Sequence, residues 1–159
     1  MALQTQLADL FHRDLTRLLQ QVEAFPEDSL LWQVAPGITN SAGNLVLHLE
    51  GNLREFIGRQ MGGVAYQRER EVEFGARGLT RAELAARVEG VRALVPGVLR
   101  QMTAEQLEFV DGQRPPGLPL STQQFLFHLY GHFSYHLGQI DYLRRLLTEG
   151  AAVRYANLP

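Results

Sequence analysis

STQQFLFHLYGHFSYHLGQIDYLRRLLTEG, residues 121–150, reads as one long helix. Ser121 and Gln124 have the spacing of a capping box, in which each side chain satisfies a backbone N–H that the first turn leaves free. Apolar residues then recur every three or four positions, at Phe125, Leu129, Phe133, Leu137, Ile140, Leu143 and Leu147. That is the period of one helix face. Gly150 is a suitable stop. His128, His132 and His136 stand four residues apart and therefore fall near a single face.

Three further segments carry the same period. From Leu3 to about Ala24 the stripe is Leu7, Leu10, Phe11, Leu15, Leu18, Leu19 and Val22, and Pro26 ends it. Leu30, Leu31 and Trp32, in the connection that follows, are expected to pack down. Asn40 or Ser41 caps a second helix that carries Leu45, His48, Leu49, Asn52, Leu53 and Phe56 and stops at Gly62-Gly63. Tyr66 to Gly78 is charged and ends in glycine. It reads as a loop, with Arg68-Glu69-Arg70-Glu71 as a solvated run.

Thr80 and Glu83 form a capping box for a third helix, with Leu79 and Leu84 as a hydrophobic staple. It runs to about Met102, with a bend expected at Pro96-Gly97. Thr103 and Gln106 predict a short extra turn, and the proline- and glycine-rich stretch Arg114 to Pro119 a loop. There is no strand-length alternation and no repeat. The expectation is an all-α, four-helix bundle formed by residues 1–159 as one domain.

Composition removes several kinds of chemistry. The chain has no cysteine, so it supplies neither disulfide nor thiol nucleophile. All 15 of its Lys+Arg residues are arginine, which excludes the P-loop lysine and Schiff-base catalysis. A net charge of −2 gives no electrostatic case for nucleic acid or an anionic membrane. The first residues, Met1-Ala2-Leu3-Gln4, lack the basic and apolar regions of a signal peptide, and no apolar run is long enough to span a bilayer. The expected location is the cytoplasm.

A histidine pair four residues apart on a helix can hold one metal ion. Three in a row cannot easily share one, because the outer two are about 12 Å apart along the axis. The pair is therefore the unit, and either His128 or His136 lies outside it. The interior seam of the last helix can be traced through Phe125, Leu129, His132, His136, Gln139 and Leu143. On the second helix His48 shares a stripe with Leu45, Asn52 and Phe56, so it can contribute from a neighbouring helix. Buried imidazoles without partners cost free energy, and a metal would satisfy them. Hydrogen-bonded core histidines are the competing reading. Three neutral imidazoles suit zinc or nickel, and also iron or copper.

Two motifs carry a family resemblance. The segment Asn40-Ser41-Ala42-Gly43-Asn44-Leu45-Val46-Leu47-His48-Leu49-Glu50-Gly51-Asn52-Leu53 resembles the second-helix motif of the DinB-like family. His132-Phe133-Ser134-Tyr135-His136-Leu137-Gly138-Gln139-Ile140 resembles its last-helix motif, and Arg68-Glu69-Arg70 through Glu73-Phe74 is similar to a stretch found after the second helix in some members. The resemblance implies an up-down-down-up bundle, often a homodimer, with His48, His132 and His136 as the ligands of one divalent ion and His128 outside the set. It also implies a choice of activities, because relatives include thiol transferases that use bacillithiol and a mycothiol-dependent maleylpyruvate isomerase.

Two functions follow as expectations. One is a metal-dependent enzyme of transferase or hydrolase type, acting on a small molecule with water or an exogenous low-molecular-weight thiol. The other is a non-catalytic, stress-associated metal-binding bundle. No general base stands out: Glu50 and Asp141 are off the histidine faces, and Glu55 is two turns from His48. Only a loop residue such as Glu73 could reach in. Asn52 and Gln139 are the candidates for orienting ligands or substrate.

Overall fold

Hydroxyl side chains mark where most of the helices begin. The computed structural model describes residues 1–111, 117 and 119–153. Helix α1 spans Leu3–Glu23, and a 3₁₀ turn spans Asp28–Trp32. The Ser41 side chain accepts from the Asn44 N–H to start α2, Ala42–Leu53, which continues without a break into a π-helical stretch, Arg54–Met61. Next come α3, Arg70–Gly75, and α4, Arg81–Gln101, opened by the Thr80–Glu83 capping box. The Thr103–Gln106 box opens α5, Ala104–Glu108, and the Ser121–Gln124 box opens α6, Thr122–Thr148. Strands β1, Val110–Asp111, and β2, Leu120–Ser121, pair antiparallel.

Side-chain contacts fix the direction of each long helix. Gln4 Nε2 donates to the Met102 carbonyl at 3.2 Å, Arg100 pairs with Asp9 at 2.7 Å, and Arg81 donates to the Phe25 carbonyl at 2.6 Å, so α1 and α4 are antiparallel. Phe11 packs on Tyr130 and Phe133 while Arg144 donates to Gln21, so α1 and α6 run together. Phe56 meets Phe125 and His48 meets His132, so α2 opposes α6. Glu50 reaches Arg87, and Gly62 lies against Val98, so α2 runs with α4. The order is up-down-down-up.

The core lies between these four helices, where Phe11, Phe25, Phe125 and Phe133 are fully buried. Each such ring contributes roughly 1.5–3 kcal/mol on leaving water. Helix α2 is the innermost element, with every residue from Ala42 to Leu53 buried. Gly43 makes room for the Trp32 ring, which would stand 2.8 Å from a Cβ placed there. Trp32 Nε1 also donates to the Leu79 carbonyl at 2.9 Å, so the first connection packs down as expected.

Several expectations need correction. Tyr66 to Gly78 is not all loop, since it contains α3. Of its charged run, Glu69, Arg70 and Glu71 are solvated, but Arg68 turns inward. A two-residue strand pair precedes α6. The expected span of the third helix holds, since α4 includes Pro96-Gly97 and ends at Gln101. The left-handed stop of α6 is Glu149, φ 51°, rather than Gly150. In the expected loop Arg114 to Pro119, residues 114–116 and 118 lie outside the described residues.

Candidate metal centre

Because α2 and α6 are antiparallel and in contact, one turn of α2 brings His48 against two turns of α6. His48 Nε2 lies 3.1 Å from His132 Nε2. The His48 ring centroid is 5.1 Å from that of His132 and 5.2 Å from that of His136. One nitrogen from each of the three rings falls within 4.8 Å of the others, a group that could hold a metal ion. His48 is 5% exposed, and His132 and His136 are partly buried.

The outer nitrogens show how the rings are set. His48 Nδ1 is 2.9 Å from Glu73 Oε2, and His136 Nδ1 is 2.7 Å from Gln139 Oε1. Both partners are acceptors, so each Nδ1 carries the proton and each Nε2 lone pair is left for the centre. His132 Nδ1 is buried and has no partner among the described residues.

Glu73 is itself held from three sides. Arg68 grips it with Nε to Oε1 at 2.6 Å and Nη2 to Oε2 at 2.9 Å. Its helix α3 is tied to α2 by the Asn44 amide, which donates to the carbonyls of Glu73, Phe74 and Ala76 at 3.0–3.1 Å. Gly51 lets the carboxylate approach α2, for a Cβ at that position would stand 2.2 Å from Glu73 Oε1. Burial raises the Glu73 carboxyl, but hydrogen bonds from Arg68 and His48 and the Arg68 charge outweigh it and hold the group down at about 2. The carboxylate is therefore ionised at neutral pH.

Burial, then the neighbouring His136 and His48, push His132 down to about 4. Burial also lowers His136, against a hydrogen bond to Gln139 that raises it. Both rings are neutral at pH 7, the state a metal ligand requires. Two nitrogens of a tetrahedral zinc site lie about 3.3 Å apart, given bonds of roughly 2.0–2.1 Å. The 3.1 Å between His48 and His132 matches that spacing. Two lone pairs facing each other at this range repel unless a proton or a cation sits between them. The donor set thus fits a divalent ion.

The other residues singled out from sequence are placed as follows. His128 is exposed, its ring stacked on Phe125 at 5.9 Å, and outside the group. Asn52 is buried, with Oδ1 unpartnered among the described residues. Gln139 is exposed, whereas the sequence puts it on the interior seam. The buried seam of α6 instead passes through Phe133, Ile140 and Leu143, with the histidines on its flank. Glu50 is engaged by Arg54 and Arg87, Glu55 by Arg59, and Asp141 by Gln21 and Arg144. From sequence Arg68 reads as part of a solvated run and Gly51 as one residue of the second-helix motif, so neither announces its contact with Glu73.

A profile of the DinB superfamily matches residues 10–140. The chain belongs to the DinB superfamily. The matched region of this superfamily member includes all three histidines together with Arg68 and Glu73. Its fold is similar to solved structures at low identity. A DinB-like protein (YjoA) from Bacillus subtilis has TM-score 0.70 and 19% identity, over 94% of this chain and 96% of that one. A conserved protein from Enterococcus faecalis has TM-score 0.69 and 20% identity, over 94% and 99%. A DinB-like protein from Bacillus cereus has TM-score 0.68 and 18% identity, over 91% of each chain. No curated protein matches the sequence significantly.

Proposed function

We propose that the protein is a metal-dependent enzyme in which His48, His132 and His136 hold one divalent ion, zinc or nickel, and the substrate is a small molecule. The observation that carries this reading is the convergence of the three imidazole nitrogens with two outer nitrogens already anchored. Three protein ligands leave room for a further one, as in catalytic rather than structural sites. When bound there, such an ion supplies Lewis acidity that lowers the pKa of water or of an exogenous thiol.

The chain's own residues do the rest. Glu73, locked by Arg68, fixes the His48 tautomer. Gln139 fixes His136. Helices α2 and α3 seal the inner side of His48, while the partly buried His132 and His136 border the side that substrate enters. Glu50, Glu55 and Asp141 are held in ion pairs, so none of these three is free to act as base. A water or small-thiol nucleophile fits this inventory, since the chain has neither cysteine nor lysine. The partial exposure of His132 and His136 also favours an enzyme over a bundle that uses the ion only for stability.

Metal analysis of untagged protein, followed by a screen of small thiols and water against electrophiles, tests the proposal. Stoichiometric metal and a turnover abolished by chelation are expected. Turnover that survives complete metal removal would overturn it.

A further inference from the structure

A cavity of about 490 Å³ opens between the Gly37–Asn40 segment, α2 and α6. Its walls include Ile38, Leu45, Tyr142 and Leu146, with hydroxyl or amide groups from Thr39, Asn40 and Gln139, and none of its lining residues is an acid, an arginine or a histidine. It adjoins the metal centre through two residues. Leu45 is one turn before His48 on α2, and Gln139 is one turn after His136 and bonded to it.

The volume is in the range of small-molecule sites. The lack of charge selects the ligand. The wall offers an anion no counter-charge, so an uncharged ligand suits it better. Arg145, whose guanidinium lies 5.6 Å from the Tyr142 ring centroid, is already paired with Asp141 at 3.7 Å. Gln139 is differently disposed. Its Oε1 faces His136, so its amide N–H groups, which have no partner among the described residues, remain as donors.

We propose that this cavity binds the apolar body of an uncharged small molecule, and that the Gln139 amide donates to a carbonyl-type acceptor on it and so turns its polar end toward the histidines. The substrate of the centre is then neutral and apolar rather than anionic. The chemical assignment rests on reading the centre as an enzyme site, but binding to the cavity does not require turnover.

The test uses two environment-sensitive fluorophores on the full chain, with bound zinc measured in the same samples. One is the neutral ketone 6-propionyl-2-dimethylaminonaphthalene, and the other is the anion 8-anilino-1-naphthalenesulfonate. The ketone should bind saturably, one per chain, at least tenfold more tightly than the anion. Ile38→Asp and Leu146→Asp, both at exposed positions, should weaken it at least tenfold with zinc content and circular dichroism unchanged. Gln139→Ala should weaken the ketone severalfold but leave the ketone-free probe N-phenyl-1-naphthylamine unaffected. Ketone binding with no zinc bound would remove the metal reading and leave the cavity standing. Three results would overturn the cavity proposal: equal or tighter anion binding, a ketone affinity indifferent to both aspartates, or a Leu146→Asp variant that turns a dimer into a monomer, which would give this face to a second copy.

Discussion

The two sides of His48 are built in opposite ways. Toward α3 its ring meets a buried, fully paired charge: Glu73, gripped by Arg68 and lodged where Gly51 has no side chain. Toward α6 it meets the partly exposed imidazoles of His132 and His136, and Gln139, bonded to His136, lines a cavity whose walls carry no formal charge. The first side spends its interactions on holding one ring in one tautomer. The second brings together three nitrogens that could hold an ion, and the proposed small-molecule cavity adjoins it. A site needs both, because a ligand set that is free to rotate loses affinity, and one sealed on every side cannot turn over.

The contrast predicts graded effects. The largest falls on the open side: His132→Ala or His136→Ala should lower any turnover by orders of magnitude, since a lost ligand removes the Lewis acid itself. Chelation should do the same, with recovery on adding metal. Steady-state assays with and without chelator decide this, and wild-type rates in either variant would break the account of the open side.

Next is the sealed side. Glu73→Gln keeps the shape but removes the charge, and metal affinity should fall about 10–100-fold. Arg68→Ala should act in the same direction and less strongly. Competition with a chromophoric chelator measures both, and an unchanged affinity in Glu73→Gln would mean that the carboxylate only braces α3.

Gly51→Ala should have a smaller effect. The new Cβ forces Glu73 from its seat, so metal affinity should drop severalfold and stability by about 1–3 kcal/mol, the usual cost of overpacking. Restoration of affinity to wild type in a Gly51→Ala chain that is equally destabilised would contradict the link. The smallest effect belongs to His128→Ala, which should keep its metal, because that ring is exposed and outside the group.

The four long helices were legible because each has a local signal, whereas spacing gave the histidines of α6 only as a pair, left His128 or His136 outside it, and the family resemblance supplied the triad. Capping pairs such as Ser121–Gln124 and Thr80–Glu83 mark the starts, and the 3.6-residue period marks the buried face. The sealed side had no such signal. Helix α3 has six residues, too few for a period to show, and Arg68 sits in a run of alternating charges that reads as solvated. Glu73 meets His48 across 25 positions, a contact set by tertiary packing alone. Gln139 was misplaced for another reason. The helical period gives the line of a face but not its width, and α6 buries Phe133, Ile140 and Leu143 on a line just beside the histidines. Arg144 escaped notice because an arginine is buried only when partners such as Gln21 and Asp141 are supplied from elsewhere in the fold.

The central claim is that three imidazoles from two antiparallel helices share one ion. Equilibrium metal binding to untagged wild type and to His48→Ala, His132→Ala and His136→Ala tests it most directly. Wild type should take up one equivalent, and each variant should lose at least about two orders of magnitude in affinity while keeping its helical circular dichroism. A full equivalent retained at wild-type affinity in all three variants would contradict it.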